Sequence, residues 1–134
     1  TNGCFDLLHS GHIKYLEKAA SFGDILIIGL NNDASVQRLK GDSRPINKAK
    51  ERALILSGLQ SVDYIVIFEE NTPLNLIELI SPDVLAKGAD YKIENVVGSD
   101  FVLSRGGTVE LIDYHSGYST SSIIAKIKKI HKDK

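Results

Sequence analysis

Apolar residues recur along the chain in two patterns, one with helical spacing and one continuous. A helical spacing from Ile13 to Ala20 stops at Gly23, which predicts a helix over residues 12–22. The continuous apolar run at residues 25–30 predicts a strand covered on both faces of a parallel sheet. The same patterns then predict, in order, a short helix capped by Asp33, a helix over residues 50–59, a strand over 62–68, a helix capped by Thr72 and ended by Pro82, a strand over 84–86, a helix over 96–104, a strand over 109–112 and a helix over 119–130.

Strands and helices therefore alternate along the chain with short connections. This order predicts an α/β protein: a Rossmann-like open parallel sheet of about five strands with helices on both faces, formed by residues 1–134 as a single domain. Because the sequence lacks Met and opens on a turn-like stretch, we expect the N-terminal strand to be truncated. Such sheets bind ligands beyond the carboxyl ends of their strands, so the turn at residues 3–6 lies at the expected site.

Composition and charge narrow the range of functions. With 16 Lys and Arg against 17 Asp and Glu, the formal charge is −1, which argues against nucleic-acid and membrane-surface binding because such proteins normally carry a basic excess. The longest apolar runs are too short to span a bilayer. Cys4 is the sole cysteine, so an internal disulfide and a cysteine-based zinc site are excluded. We expect a reducing, cytoplasmic location.

Two histidines three residues apart, His9 and His12, flank Gly11 at the predicted start of the first helix. Both imidazoles can face one point beyond the helix N-terminus, where unpaired backbone N–H groups and the helix dipole attract anions. Gly11 lacks the Cβ that would keep a phosphate away, so the pattern predicts a phosphate site. A tight turn with two surface histidines is the alternative. A zinc site is disfavoured, because His115 and His131 are distant and no third ligand lies at a suitable spacing.

Two further segments follow predicted strands. Gly117-Tyr118-Ser119-Thr120 opens the last helix, where the hydroxyl groups can cap the helix or bind a phosphate. Lys87-Gly88-Ala89-Asp90-Tyr91 combines a cation, a glycine that permits close approach of a ligand, and a carboxylate that can accept from ribose hydroxyls. The chain contains neither a Walker A sequence nor a G-x-G-x-x-G fingerprint, which argues against P-loop ATP hydrolysis and hydride transfer.

Cations also gather after the strand at residues 25–30. Lys40 and Arg44 belong to a polar loop over residues 40–48, Arg38 precedes this loop, and Arg52 lies on the next helix. A solvated basic loop is the ordinary explanation, but the position at the carboxyl end of a strand favours contacts with phosphate. We expect this loop to close over a bound triphosphate.

Residues 3–12, which read Gly-Cys-Phe-Asp-Leu-Leu-His-Ser-Gly-His, and the later Gly117-Tyr118-Ser119-Thr120 segment resemble the H-x-G-H and S-T-[ST] motifs of cytidylyltransferase-like nucleotidyltransferases. Within that group the chain is similar to the D-glycero-β-D-manno-heptose 1-phosphate adenylyltransferases. The similarity lies in five stretches, at residues 1–6, 38–47, 68–73, 87–91 and 117–120.

The resemblance implies transfer of AMP from ATP to a sugar 1-phosphate, with release of pyrophosphate, in the synthesis of ADP-heptose for lipopolysaccharide. It implies catalytic roles for His9, His12 and Lys40 and substrate contacts for Asp6, Arg44, Arg52 and Lys87. Nucleotide contacts are implied for Gly3, Cys4, Phe5, His9, Gly11, His12, Gly88, Asp90, Gly117, Tyr118, Ser119 and Thr120. Mg²⁺ would be bound mainly through the nucleotide phosphates, so no protein ligand is assigned to it. A homodimer and a fused or separate sugar kinase are the expected partners.

Two alternatives stay open at this point. One is a CTP-dependent enzyme that acts on an alcohol phosphate such as glycerol 3-phosphate. Such enzymes carry Arg-Thr-Glu-Gly where this chain has Tyr114-His115-Ser116-Gly117, which favours ATP. The other is a non-catalytic nucleotide-binding module, against which the intact His9 and His12 argue.

Overall fold

The computed structural model describes residues 1–113 and 119–133. The strands are β1 (Asn2–Gly3), β2 (Ile27–Asn31), β3 (Tyr64–Phe68), β4 (Val84–Gly88) and β5 (Thr108–Ile112). The helices are α1 (Ser10–Ala20), α2 (Asp33–Lys40), α3 (Ala49–Ser57), α4 (Leu74–Ile80), α5 (Ser99–Ser104) and α6 (Thr120–Lys132), with a short 3₁₀ helix at Ile93–Asn95. No helix in the described part of the chain is long and apolar enough to cross a membrane.

All pairings between the described strands are parallel, as the alternating order of elements predicts. The strands form two groups, β1-β2-β3 and β4-β5. Side chains join the two groups: Lys87 Nζ donates to the carbonyl of Asn2 over 3.1 Å, and the hydroxyl of Tyr15 donates to that of Ala86 over 3.4 Å. Strand β4 therefore lies beside β1, and the carboxyl ends of β1, β2 and β4 meet at one edge.

The predicted burial by helices on both faces is confirmed by the alternation of side chains along β4. Ala86 belongs to a core that contains Leu16 of α1 and Leu56 of α3. Its neighbour Leu85 belongs to a second core that contains Ile77 of α4 and Val102 of α5. Consecutive strand residues point to opposite faces, so the two cores lie on the two sides of the sheet.

Several predicted boundaries and caps are wrong in detail. Strand β2 begins at Ile27, and Ile25 is 61% exposed, so the apolar run is not buried along its whole length. Asn32 caps α2 instead of Asp33, because its side chain accepts from the Ser35 N–H. No side-chain hydrogen bond caps α4, so Thr72 does not have the predicted role.

Three other boundaries differ from the prediction. Strand β4 continues to Gly88, which places Lys87 and Gly88 inside the strand and not in the loop after it. Helix α5 starts at Ser99 instead of at residue 96, because Gly98 interrupts the helical conformation with a φ of 88°. Lys40 is the last residue of α2, and the polar loop starts at Gly41.

Candidate functional site

A cavity of about 690 Å³ opens at the edge where β1, β2 and β4 end. Its lining contains most of the residues that the sequence singles out: Gly3, Cys4, Phe5, Asp6, His9, His12, Lys40, Arg44, Lys87, Asp90, Ser119 and Thr120. Three predicted residues do not line it: Gly11 is buried in the first turn of α1, Gly88 ends β4, and Arg52 is buried beneath the site. Gly117 and Tyr118 lie outside the described residues.

The two histidines form the N-terminal cap of α1. Nδ1 of His9 accepts from the N–H of Gly11 over 3.1 Å, and Nδ1 of His12 accepts from the N–H of His9 over 3.2 Å. The ring centroids are 4.0 Å apart. Because a neutral imidazole carries its proton on one nitrogen only, these bonds place the proton of each ring on Nε2.

Burial keeps both rings neutral. Removal from water and, to a smaller extent, the neighbouring His9 lower the pKa of His12 from 6.5 to about 4. Burial also lowers the pKa of His9. At neutral pH the pair therefore presents two N–H donors without a positive charge, next to the positive end of the α1 dipole.

Asp6 connects the turn before α1 to the loop after α2. Its carboxylate accepts from Arg44 Nε over 3.0 Å, from the N–H of Ile46 over 2.6 Å and from the N–H of Asn47 over 2.9 Å. Burial raises the pKa of this carboxyl group, but the two backbone N–H groups and Arg44 lower it by more, so the net pKa lies below its usual value. The Asp6 carboxylate thus holds the loop against the site.

The turn that carries Asp6 is strained. Phe5 has a φ of 47° and Leu7 a φ of 55°, a left-handed conformation that non-glycine residues rarely adopt and that costs about 1–3 kcal/mol for each residue. Gly3 leaves room for this fold-back, since a Cβ at that position would lie 2.9 Å from Phe5 Cε2. On the other side, the hydroxyl of Thr120 donates to the carbonyls of Asp6 over 2.7 Å and Leu7 over 3.2 Å.

Arg52 supports the site from below. It is 1% exposed and donates to three backbone carbonyls, those of Cys4, Asn31 and Asn47, over 2.7–2.9 Å. Its Nη2 also lies 2.8 Å from Asp33 Oδ1. The guanidinium therefore joins the end of β1, the end of β2 and the loop before α3, and its donors are used within the protein.

Three cations line the cavity: Lys40, Arg44 and Lys87. Arg44 donates a hydrogen bond from Nε to the Asp6 carboxylate, so its two Nη groups can bind a ligand. Burial lowers the pKa of Lys87, and Asp90 and the Cys4 thiol offset part of this effect. Burial raises the pKa of the Cys4 thiol, and nearby cations, of which Lys40 has the largest effect, lower it by less. The thiol therefore stays protonated at neutral pH and is a poor nucleophile.

Ser119 caps α6 at the opposite wall. Its Oγ accepts from the N–H of Ser122 over 3.0 Å, and the Ser122 hydroxyl returns a bond to the Ser119 carbonyl over 2.8 Å. The hydroxyl proton of Ser119 is not used by these bonds. The N-termini of α1 and α6 therefore both open onto the cavity. At α1 the N–H groups of Gly11 and His12 donate to Nδ1 and the carbonyl of His9, so the donors that face an anion there are the imidazole N–H groups.

Sequence reasoning missed several polar residues of the lining, among them Tyr15, Asn31 and Asn71. Asn31 ends β2, so its place at the carboxyl end of a strand was a usable signal. Tyr15 lies in the middle of α1 and its helical position predicts only burial. Asn71 is brought to the cavity by the loop after β3, which no sequence pattern places.

A parallel α/β sheet, two helix N-termini and three cations surround one cavity, an arrangement typical of domains that bind phosphorylated ligands. Comparison with known proteins agrees, because the chain belongs to the Cytidylyltransferase-like family, whose model matches residues 1–126.

The relatives include several proteins named Bifunctional protein HldE. The chain is 61% identical to that of Citrifermentans bemidjiense over 127 residues, which cover 95% of this chain and 26% of the relative. It is 60% identical to that of Campylobacter concisus over 133 residues, which cover 99% of this chain and 27% of the relative. The chain thus spans about a quarter of the length of these relatives.

A solved structure supports the fold. The lipopolysaccharide core biosynthesis protein from Thermoplasma volcanium superposes with a TM-score of 0.69 at 27% identity. The match covers 88% of this chain and 94% of that one.

Proposed function

We propose that the chain is an adenylyltransferase that transfers AMP from ATP to D-glycero-β-D-manno-heptose 1-phosphate, giving ADP-heptose and pyrophosphate for lipopolysaccharide core synthesis. The observation that carries the proposal is the pair of neutral imidazole donors at the N-terminus of α1, facing a cavity with three cations. The high identity to proteins named HldE and the likeness to a lipopolysaccharide core biosynthesis protein support the choice of substrate.

The reaction requires positioning and charge stabilisation more than acid–base catalysis. A phosphate oxygen of the sugar phosphate attacks the α-phosphorus of ATP, and the bond from that phosphorus to the bridging oxygen of the β-phosphate breaks. Pyrophosphate leaves with the electron pair. Because the attacking phosphate is already anionic at neutral pH, no side chain has to remove a proton.

The roles of the cavity residues follow from their places. His9 and His12 donate from Nε2 to the phosphate oxygens on which charge builds up, and Lys40 neutralises the triphosphate. The backbone N–H groups of Cys4 and Phe5 and the hydroxyl of Ser119 bind nucleotide phosphates. Asp90, at the end of β4, accepts from the ribose.

The sugar phosphate takes the remaining cations. Arg44 presents its Nη groups as a planar fork that suits a phosphate, and Lys87 adds a second donor. Asp6 and Arg52 act on the substrate through the loop and strand ends that they hold, since their polar atoms are bonded within the protein.

We propose Mg²⁺ as the cofactor. In the described part of the chain no group of three or more His, Cys, Asp or Glu side chains is arranged to hold a metal ion. Such an ion would be bound mainly by phosphate oxygens and water and would enter with the nucleotide. When bound, it supplies charge neutralisation at the transferred phosphate.

The assay that tests the function measures pyrophosphate release with ATP or CTP, each combined with heptose 1-phosphate or glycerol 3-phosphate. We expect the highest kcat/KM for ATP with heptose 1-phosphate. A higher value for CTP with glycerol 3-phosphate would assign the CTP-dependent alternative. Nucleotide binding without turnover in any combination would leave a non-catalytic binding module.

Partners and location complete the proposal. The relatives are about four times longer than this chain and are named bifunctional, which supports a sugar kinase fused to this domain or working beside it. ATP as the substrate supports a cytoplasmic location.

A homodimer is supported by the exposed apolar side chains of the edge strand β3 and the adjacent α3, described below as the β3–α3 surface: Leu54, Ile55, Tyr64, Val66 and Ile67.

A further inference from the structure

The hydroxyl of Thr120 has a use that is incompatible with direct phosphate binding. A carbonyl oxygen only accepts hydrogen bonds, so Thr120 Oγ1 is the donor in both of its bonds, to Asp6 and to Leu7. A hydroxyl has one proton to donate. While these bonds exist, the proton of Thr120 Oγ1 is used by the two carbonyls, so the hydroxyl cannot donate to a phosphate oxygen.

The two carbonyls that it binds belong to the strained turn. Phe5 and Leu7 have φ values of 47° and 55°, and a conformation of this kind persists only where its surroundings enforce it. Asp6 lies between them and is fixed from the other side by its carboxylate bonds to the loop after α2. Thr120 therefore supplies the second point of attachment, on the backbone.

The turn leads directly into the histidine pair. Only Leu8 separates Leu7 from His9, whose backbone N–H donates to Nδ1 of His12. A shift of the Leu7 carbonyl thus moves the N–H group that fixes the His12 ring. The ring of Phe5 lies 5.7 Å from that of His12, measured between centroids, and provides a second route from the turn to the pair.

We propose that the Thr120 hydroxyl is a positioning group that holds the Phe5–Leu7 turn, and with it the His9 and His12 rings, in the geometry that adenylyl transfer requires. The proposal rests on the proposed function, and it assigns different roles to the two hydroxyl residues at the start of α6. Ser119, whose hydroxyl proton is not used by its cap bonds, binds phosphate, and Thr120 orients the imidazoles.

The test compares four variants of the full chain: Thr120→Val, which keeps the shape and removes the hydroxyl, Thr120→Ser, which keeps the hydroxyl, Ser119→Ala, and the control Thr108→Val at an exposed position at the start of β5. Each is measured for kcat, for the Kd of ATP and for thermal unfolding. Thr120→Ala provides a second hydroxyl-free variant if Thr120→Val does not fold.

We expect Thr120→Val to lower kcat about tenfold, the effect of one lost hydrogen bond, with little change in the Kd of ATP. Thr120→Ser should restore most of kcat, and Ser119→Ala should raise the Kd of ATP more than it lowers kcat. In a His12→Ala background Thr120→Val should lower kcat much less, because residues that act through each other are not additive. A raised Kd of ATP with unchanged kcat in Thr120→Val would overturn the proposal.

A second readout does not need turnover. With ¹³C-labelled histidine, the ring signals of His9 and His12 should shift in Thr120→Val and stay in place in Thr108→Val, while the signal of His131 at the end of α6 is unaffected in both. If the wild-type chain transfers no AMP, the proposed function fails, and the ring signals alone decide the positioning role. Unchanged His9 and His12 signals would refute it.

Discussion

His9 and His12 can donate hydrogen bonds to a ligand because the Nδ1 atom of each ring accepts a backbone N–H, which leaves the ring proton on Nε2. Both Nδ1 atoms accept backbone N–H groups of the α1 cap, so helix capping and presentation of Nε2–H are one arrangement. A side chain without an acceptor at this place loses the cap and the donor together, whereas Asp, when ionised, would supply the acceptor without a donor.

We expect His9→Ala and His12→Ala each to lower kcat by about 10²- to 10³-fold, because each removes one preorganised donor from the transition state. His131→Ala, near the exposed end of α6, is the matched control and should leave kcat unchanged. The measurement is steady-state kcat with circular dichroism as the test of folding. Normal turnover in a correctly folded His9→Ala or His12→Ala would exclude that residue from the mechanism.

The low pKa of His12 predicts how stability changes with pH. In the unfolded chain His12 titrates near 6.5, but in the folded chain its pKa is about 4. As the pH falls through this interval the unfolded state binds the proton first, so the free energy of unfolding decreases from about pH 6.5 to about pH 4. The lowered pKa of His9 acts in the same direction.

Urea unfolding at a series of pH values checks this. The slope of stability against pH should become smaller in His12→Asn, whose side-chain oxygen can still accept from the backbone, and should persist in His131→Asn. The lowered pKa of Asp6 adds stability that is present above its ordinary value of 3.8 and is lost mainly below that value, so the slope between pH 6.5 and pH 4 comes chiefly from the histidines. An unchanged slope in His12→Asn would contradict the assignment.

At the scale of elements, Arg52 fixes the strand ends and the start of α3 relative to one another. Arg52→Met keeps most of the side-chain volume but leaves the carbonyls of Cys4, Asn31 and Asn47 without their donor, so we expect a loss of about 2–4 kcal/mol. Arg38→Met is the matched control: Arg38 makes two exposed hydrogen bonds, and its loss should cost no more than about 0.5 kcal/mol. Equal unfolding free energies for the two variants would show that Arg52 has no special structural role.

The elements were largely predictable because their apolar spacing is local information. Helix α1, strand β3 and helix α6 were predicted close to their observed bounds. The position of His9 and His12 at the start of α1 was predicted too, but their role as its cap was not. Caps were less accurate: Asn32 and Asp33 are chemically similar neighbours, and only the backbone conformation determines which of them receives the Ser35 N–H.

The network beneath the site could not be predicted. Asp6, Arg44 and Arg52 are far apart in the sequence, and each could equally have faced a ligand. Only the tertiary structure shows that Asp6 meets Arg44 and two backbone N–H groups, and that Arg52 meets three carbonyls. For the same reason the sequence predicts a loop over residues 40–48 that moves to close over a triphosphate, whereas in the structure Arg44, Ile46 and Asn47 of this loop are bonded to Asp6.

At the scale of the whole molecule, the β3–α3 surface predicts the oligomeric state. Tyr64 is 61% exposed and Ile67 is 48% exposed on a strand that, within residues 1–113 and 119–133, pairs with another strand on one side only. We expect light scattering coupled to size-exclusion chromatography to show a dimer, and Ile67→Lys to shift it towards the monomer. Leu79→Lys, at an 84% exposed residue of α4, should have no such effect. A wild-type monomer at every concentration would contradict the proposal.

The attachment of the loop to Asp6 determines which positions of the loop can vary in sequence. Two of the three groups that bind the Asp6 carboxylate are the backbone N–H groups of residues 46 and 47, which every amino acid except proline provides. The side chains at these two positions can therefore vary without loss of either bond, and that of Ile46 is half exposed. The outer surface of the loop can thus change by exchange of side chains while the bonds that hold its backbone to Asp6 stay in place.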